Sequence, residues 1–181
     1  MTKKHRERRC GRETGVTLLE TMVTITIAVV LLSLGIPGLS DFVRNTRRDS
    51  RVVDVVVTLN LARSEAVKRN HHVTVCPSLD GLNCSGNFRW ESGWIVFGDP
   101  NNNGTVDGTE TVLHRYEALG GEATLRTGHN RTRVTYQGTG FSIGFNTTLR
   151  FCDSRGTDYA RSVIVSNAGR ARVASSVDVC P

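Results

Sequence analysis

Apolar residues follow three different spacings along the chain. Residues 16–36 form an unbroken apolar run in which Glu20 is the one charged side chain. A helix of this length spans about 30 Å, the thickness of the hydrocarbon core of a bilayer. Beyond this run, apolar residues recur at three- and four-residue steps to about residue 69, which is typical of an amphipathic helix. The pattern predicts one long helix over about 16–69, bent at Pro37.

From residue 71 the apolar spacing changes to two, and short alternating runs are separated by Gly and Asn clusters. This pattern is typical of strands joined by turns. No long helical pattern lies between the runs, so antiparallel sheets and an α+β fold class are predicted. The predicted strands are 73–75, 94–97, 111–113, 123–125, 133–136, 141–143, 149–151 and 162–165, with a further one at 172–174. The predicted divisions are a basic segment 1–15, a membrane-spanning half-helix 16–37, an amphipathic half-helix 38–70 and a β-rich domain 71–181.

The net charge of +6 is distributed unevenly. Residues 1–15 carry +4, residues 76–125 carry −5, and residues 126–181 carry +5 with eight Arg and no Lys. A basic patch is typical of nucleic-acid binding, so the C-terminal third is the part to inspect for such a site. No catalytic constellation is found, since the adjacent His71 and His72 point to opposite sides of a strand. The sequence predicts neither an enzyme nor a cofactor.

Basic residues also line the second half of the predicted helix, and they are interpreted as a solvated helix face. If a DNA-binding site lies elsewhere, replacing Arg63 and Arg69 with Gln should have little effect on it. The basic residues of this half-helix are Arg44, Arg47, Arg48, Arg51, Arg63, Lys68 and Arg69.

The basic N-terminus and the apolar run together form a targeting signal. A secretory signal has a shorter apolar region followed by a small-residue cleavage site, and this segment has neither feature. A plain membrane anchor is an alternative, but it leaves Glu20 unexplained because a carboxylate inside a membrane helix is costly and usually has a partner. The positive-inside rule predicts that the basic end stays in the cytoplasm and that the remainder lies across the membrane.

The segment GVTLLE at residues 15–20 resembles the type III signal of type IV pilins and pseudopilins. The resemblance implies that a prepilin peptidase cuts after Gly15 and removes residues 1–15 as a leader. Val16, where Phe is usual, would become the methylated first residue, and Glu20 would pair with the N-terminal amine of a neighbouring pilin subunit. The resemblance further implies a single-pass inner-membrane protein whose domain is periplasmic and which assembles into a pilus outside the cell.

The body of the chain resembles one group within that family. The segments LARSEA at 61–66, VTVC at 73–76 and GWIVFGD at 93–99 look like those of the minor pseudopilins of the GspH/FimT group. The resemblance implies a long N-terminal helix followed by a globular domain of two β-sheets.

Five cysteines are present, of which Cys10 would leave with the leader. An even number in an exported domain favours disulfides. Four cysteines allow three pairings; Cys76 and Cys84 enclose a short turn, and Cys152 and Cys180 would then tie the C-terminus to a strand. Zinc requires close-set thiols, and these spacings do not fit.

One loop matches the spacing of a calcium-binding loop. Asp99 to Glu110 follow the pattern D-x-[DN]-x-[DN]-G-x5-E, with Gly104 at the sharp turn. Predicted strands flank this loop where an EF-hand has helices, and similar loops form β-hairpins without metal. A metal-free hairpin is the favoured interpretation, and calcium is the alternative. The candidate calcium ligands are Asp99, Asn101, Asn103, Asp107 and Glu110.

The Arg-rich end contains the segment Gly169-Arg170-Ala171-Arg172. Residues two apart in an extended chain point to the same side, so Arg170 and Arg172 would present two guanidinium groups about 7 Å apart. Guanidinium groups bind phosphate oxygens in pairs, and Gly169 leaves room for a phosphate near the backbone. The alternative is a solvated Arg pair. The residues predicted to widen this patch are Arg131, Arg133, Arg150, Arg155 and Arg161.

In the FimT branch of the family, a G-R-x-R motif near the C-terminus is associated with DNA binding during natural transformation, and residues 169–172 match it. The resemblance implies a minor type IV pilin that binds the phosphate backbone of extracellular DNA without sequence preference and aids DNA uptake. The alternative is a GspH-like minor pseudopilin, a structural tip subunit of a type II secretion system that does not bind DNA.

Overall fold

The protein consists of one long helix followed by two β-sheets. The computed structural model describes residues 15–175, 179 and 180, without the side chains of 34–37. The helix α1 comprises Leu18–Arg69. It begins after Thr17, whose Oγ1 accepts a hydrogen bond from the Glu20 backbone N–H at 3.2 Å, as an N-cap does. It ends before Asn70, whose φ of 54° stops the helical repeat. The predicted long helix is confirmed.

The two halves of α1 belong to two compact units, which divide between Asn45 and Thr46. In the first unit the side chains of residues 17–33 are exposed, and the helix is long and apolar enough to cross a membrane. The backbone stays helical through Pro37, so this proline does not end the helix, and the bend expected there stays a prediction.

Two four-stranded antiparallel sheets follow the helix, which confirms the predicted α+β fold. The strands are β1 Val73–Pro77, β2 Trp94–Gly98, β3 Val112–Tyr116, β4 Thr124–Arg126, β5 Val134–Tyr136, β6 Thr147–Cys152, β7 Arg161–Val165 and β8 Ala171–Ala174. The first sheet has the order β3-β2-β1-β5, and the second has the order β4-β6-β7-β8. Both sheets therefore draw strands from distant parts of the chain.

The strand predicted at residues 141–143 is wrong. The Gln137 N–H donates to the Phe141 carbonyl at 2.8 Å, and the Ser142 N–H donates to the Asn167 carbonyl at 2.9 Å. These bonds hold the segment in turns instead of a strand ladder. Phe141 and Ile143 are both exposed, so their alternation with Ser142 does not mark one buried face of a sheet.

The amphipathic half of α1 and both sheets share one hydrophobic core. Leu59 of α1, Val96 of β2 and Phe151 of β6 belong to the same buried cluster. Trp94 is also buried there, and its Nε1–H donates to Thr58 Oγ1 on the helix at 3.1 Å. Full burial of side chains of this size contributes about 1.5–3 kcal/mol each, so α1 and the sheets are tied together within the second unit.

Two disulfides close the loops that the cysteine spacing indicated. Cys76 of β1 is bonded to Cys84, with a Cα–Cα distance of 5.6 Å. Cys152 of β6 is bonded to Cys180, with a Cα–Cα distance of 5.9 Å. The first bond braces a cluster on the face of the first sheet that includes Ile95. The second bond fixes the C-terminal end of the chain to the second sheet.

Removing the Cys152–Cys180 bond should destabilise the protein more than removing Cys76–Cys84. The two bonds join residues 28 and 8 positions apart, and the loop-entropy relation gives about 3.6 and about 2.6 kcal/mol respectively. Denaturant unfolding of the two double Cys→Ser variants measures the difference. Non-reducing peptide mapping checks the pairing, and crossed linkages or four free thiols in exported protein would contradict it.

Candidate nucleic-acid interface

The Gly-Arg-Ala-Arg segment lies in the hairpin formed by β7 and β8, whose register pairs Ile164 with Arg172. The Ser166 N–H donates to the Arg170 carbonyl at 3.1 Å, and the Gly169 N–H donates to the Ser166 carbonyl at 2.8 Å. Gly169 has a φ of +74°, the left-handed conformation that a three-residue hairpin connection requires at its last position. The sequence therefore sets the loop geometry through this glycine.

Arg170 and Arg172 are both exposed at the end of this hairpin. β8 is an edge strand, so no further strand covers its outer side. The two residues are two positions apart and so lie on the same face. Within the described part of the chain, neither guanidinium group has a hydrogen bond or an ion pair. Two unneutralised cationic groups therefore stand side by side at one end of the second sheet.

Gly169 does not have the free space that was expected beside it. The residue is buried, and a Cβ added there would overlap the Gly140 carbonyl oxygen and lie 3.3 Å from Arg63 Nε. Other chain atoms occupy the place proposed for a phosphate, so this glycine shapes the hairpin. Arg63 packs beside both glycines and is only partly exposed, so it is unsuitable as a control residue remote from the hairpin.

Gly169→Ala should destabilise the protein by at least about 2 kcal/mol. The substitution combines a left-handed backbone penalty with overlap against a rigid carbonyl group. Gly144→Ala is the matched control, because Gly144 has a φ of +84° and an added Cβ there meets nothing within 4 Å; it should cost only the backbone penalty, about 1–2 kcal/mol. Denaturant unfolding compares the two variants, and equal losses would contradict the close packing of Gly169.

Two of the predicted arginines share a small surface cavity near the first sheet. The cavity has a volume of about 220 Å³ and is lined by Asn130, Arg131, Thr132, Arg133 and Phe145. Arg131 Nη1 donates to the Gly144 carbonyl at 2.6 Å, and Arg133 Nη1 donates to the Asn103 carbonyl at 2.7 Å. A guanidinium group has five N–H donors, so each group retains donors for a further acceptor.

The cavity and the β7–β8 hairpin are connected through one short segment. Arg131 bonds to Gly144, and two residues earlier Ser142 bonds to Asn167 in the hairpin loop. Arg131 and the loop that precedes Arg170 are therefore held against the same stretch of backbone. This connection brings Arg131 near the hairpin, although the two lie in different parts of the sequence.

Arg150 shares the outer face of the second sheet with Arg172. Leu149 and Phe151 on either side of Arg150 are buried in the core, so alternation places Arg150 on the opposite face. Arg172 pairs with Ile164, which lies between two core valines of β7 in the same way. The structure thus adds Arg150 to the surface that carries the hairpin arginines.

Arg155 and Arg161 are not part of this surface, which corrects the prediction for both. Arg155 Nη2 lies 2.7 Å from Asp153 Oδ2, and its side chain is 10% exposed; the hydrogen bond from Arg155 lowers the pKa of Asp153. Arg161 pairs with the core residue Phe151 and therefore lies on the inner face, where its Nη1 donates to the Ala160 carbonyl at 3.0 Å. Both guanidinium groups bind within the protein.

The interpretation of the helical arginines as a solvated face is wrong for Arg48. Its side chain is 5% exposed, and its Nη1 donates to the Tyr159 carbonyl at 2.9 Å. The sequence spacing could have indicated that Arg48 is buried, because Arg48 precedes the buried Val52 by four residues and so lies on the same helix face. Arg69 is different, since its Nε lies 2.7 Å from Glu65 Oε2 on the partly exposed side of α1.

The remaining predicted residues are not among those that form this surface. The loop from Asp99 to Glu110 connects β2 to β3, which are antiparallel, so it is a hairpin connection as favoured from the sequence. At the other end of the chain, Gly15, Val16 and Glu20 are exposed around the start of α1.

The comparisons with known proteins agree with the observed fold. The family model described as "Type II transport protein GspH" matches residues 52–169. Two crystal forms of the type IV minor pilin FimU from Pseudomonas aeruginosa strain PAO1 have similar structures. The first has a TM-score of 0.62 at 20% identity over 77% of this chain and 99% of that one. The second has a TM-score of 0.56 at 19% identity over 74% and 99%.

No curated protein matches this sequence detectably. The likeness to FimU concerns the fold, a long helix followed by two antiparallel sheets. The family model covers more than half of the chain, including α1 from residue 52 to its end and all strands except β8. The chain therefore belongs to the GspH family and is a pilin-like protein.

Proposed function

We propose that this chain is a minor type IV pilin that binds the phosphate backbone of extracellular DNA through the β7–β8 hairpin and aids DNA uptake. The observation that carries the proposal is the exposed pair Arg170 and Arg172, on one face of an edge hairpin and free of partners among the described residues. Phosphate contacts position a protein on DNA without reading its sequence, so binding should be nearly independent of base sequence.

Further cationic groups support the choice of this surface. Arg150 lies on the same outer face, and Arg131 is held to the segment that bonds the hairpin loop. The C-terminal third from residue 126 carries +5, whereas residues 76–125 carry −5. The C-terminal third is therefore the part of the domain whose charge is more favourable to a polyanion.

The N-terminus and the disulfides support a proposed cellular arrangement. The apolar half of α1 is proposed to lie in the inner membrane, with the leader in the cytoplasm before a prepilin peptidase removes it after Gly15. The domain would then face the periplasm, an oxidising compartment in which disulfides persist. Assembly with other pilin subunits, through Glu20 among other contacts, would carry the domain outside the cell. The role is structural and binding, in keeping with pilin families.

A mobility-shift titration of the detergent-solubilised chain with duplex DNA at several salt concentrations tests the proposal. One subunit engages few phosphates, so the dissociation constant should lie in the nonspecific range of about 10⁻⁴–10⁻⁶ M and rise steeply with salt. A filament that presents several copies would raise the effective affinity. No shift at low salt would contradict DNA binding.

A second candidate function rests on the description of the matching family model, which names a type II transport protein. In that case the chain would be a structural pseudopilin of a secretion system, and the hairpin arginines would be an ordinary solvated surface. Genomic neighbours separate the two candidates, since competence and pilus genes favour the first and a secretion operon favours the second.

A further inference from the structure

The β2–β3 loop contains a buried carboxylate, Asp99, only one of whose two oxygens accepts hydrogen bonds from described residues. Asp99 is fully buried, and its Oδ2 accepts hydrogen bonds from Thr74 Oγ1 at 2.6 Å and from the Gly104 N–H at 3.1 Å. Its Oδ1 is also buried but has no hydrogen-bond partner among the described residues. A buried oxygen of this kind retains an uncompensated desolvation cost. Because Gly104 binds the same carboxylate, Asp99 faces the loop.

Glu110, at the last position of the same loop, repeats this arrangement. Its Oε2 accepts a hydrogen bond from the Asp107 N–H at 3.3 Å, while its Oε1 is buried without a partner in the described part of the chain. Asp107 and Asp99 lie close enough for their negative charges to act on the Glu110 carboxylate. The first and last loop positions thus each hold an unbonded oxygen in a locally negative setting.

The side chains between these two ends carry further oxygens, and they are hydrogen-bonded to one another. Asn103 Nδ2 donates to Asp107 Oδ2 at 2.6 Å, and Asn101 Nδ2 donates to Asp107 Oδ1 at 3.4 Å. The amide oxygens accept from the loop backbone, Asn101 Oδ1 from the Asn103 N–H at 3.1 Å and Asn103 Oδ1 from the Thr105 N–H at 2.8 Å. Among the described residues, Arg133 bonds the Asn103 carbonyl and none of the loop carboxylates. Gly104 has a φ of +75°, a left-handed conformation that favours glycine at this turn.

The donor set determines which kind of ion would fit. Among the described residues, no three His, Cys, Asp or Glu side chains are already gathered into a metal site, so Asp99, Asp107 and Glu110 would have to draw closer around a bound ion. A site in this loop therefore also needs amide and backbone carbonyl oxygens. All-oxygen ligation with neutral members suits a hard cation, and Ca²⁺ accepts six to eight oxygens in flexible geometry, whereas Mg²⁺ demands a near-ideal octahedron.

We propose that the loop Asp99–Glu110 is a Ca²⁺ site in which Asp99 Oδ1 and Glu110 Oε1 are the buried ligands. Oxygens of Asn101, Asn103 and Asp107 complete the coordination, at the positions that the D-x-N-x-N-G-x5-E spacing assigns to them. With three carboxylates, the affinity should fall in the range of extracellular modules, about 10⁻⁴–10⁻³ M. None of the proposed ligands belongs to the DNA-binding surface.

Thermal unfolding of the full chain in detergent, with Ca²⁺ alone as the probe, tests the site. After chelation with EGTA, 10 mM free Ca²⁺ should raise the unfolding midpoint by roughly 3–10 °C, and Mg²⁺ should raise it less. Glu110→Gln should remove most of the Ca²⁺ response, because it replaces a carboxylate ligand with a neutral amide. Asp107→Asn, at an exposed position, should weaken the response without affecting folding.

Glu122→Gln is the matched control, since it removes one exposed carboxylate outside the loop and should keep the full response. The absence of a Ca²⁺ shift in the wild type would overturn the site, as would an equal shift in the Asp107→Asn, Glu110→Gln and Glu122→Gln variants. Equal shifts with Mg²⁺ would overturn the assignment to calcium. If Glu110→Gln fails to fold, the comparison of Asp107→Asn with Glu122→Gln decides alone.

Discussion

Replacing Arg170 and Arg172 together with Gln is expected to abolish most DNA binding and to lower transformation, while folding stays close to wild type. The two guanidinium groups have no partner among the described residues, so their loss breaks no internal contact. Exposed substitutions of this kind change the free energy of unfolding by under about 0.5 kcal/mol. Each lost phosphate contact should reduce the salt slope by about 0.7–0.9, which a mobility-shift series at several salt concentrations measures.

The matched control is Arg115→Gln, compared with the single variants Arg170→Gln and Arg172→Gln. Arg115 is exposed on β3 of the first sheet, so each of these variants loses one positive charge, but from a different sheet. Arg115→Gln should bind DNA nearly as well as the wild type. If all three single variants weaken binding equally, net charge and not the hairpin governs DNA binding.

Replacing Gly15 with a bulky residue is expected to block processing completely, so that the protein retains residues 1–15. The wild-type protein from membranes should begin at Val16 and carry a methyl group, which intact-mass measurement detects. The reason is the resemblance of residues 15–20 to a prepilin signal, in which the peptidase requires the small residue before the cut. Mature wild-type protein that begins at Met1 would contradict a pilin signal.

Glu20 has two expected roles, in capping the start of α1 and in assembly, and a test of assembly must leave the cap intact. The Glu20 N–H is bonded by Thr17, and Glu at this position is typical of a capping box, where Gln also fits. Glu20→Gln should therefore keep the helix start and the cleavage but lose the charge that would pair with a neighbouring N-terminal amine. Recovery of this variant in filaments at the wild-type level would show that the charge is not needed.

Most of the fold could be predicted from periodicity, and the exceptions have a physical cause. The 3.6-residue spacing predicted α1, and the two-residue spacing predicted all eight strands. The same two-residue spacing also predicted a strand at 141–143, where the structure has a turn. That segment alternates like a strand, but its backbone bonds go to Gln137 and Asn167, which no local pattern reveals. Long-range pairing decides between a strand and a turn in such short runs.

The candidate site was less predictable because the availability of an arginine depends on its partners. Arg155 is bound by Asp153 only two residues away, a pairing that the sequence could have indicated. Arg48 bonds a carbonyl 111 positions along the chain, and only its helical register with the buried Val52 hinted at burial. The packing of Gly169 against Gly140 brings two sheets together and is invisible in the sequence.

The arginine side chains themselves give the most direct test of the proposed DNA surface. Their Nε–Hε resonances can be followed by ¹H–¹⁵N NMR while duplex DNA is added to the detergent-solubilised chain, with Arg→Lys variants for assignment. The signals of Arg170 and Arg172 should shift most, with smaller changes at Arg150 and Arg131, whereas the internally bonded Arg48 and Arg155 should not move. Shifts confined to Arg115, or no shift at Arg170 and Arg172 at low salt, would contradict DNA binding by the hairpin.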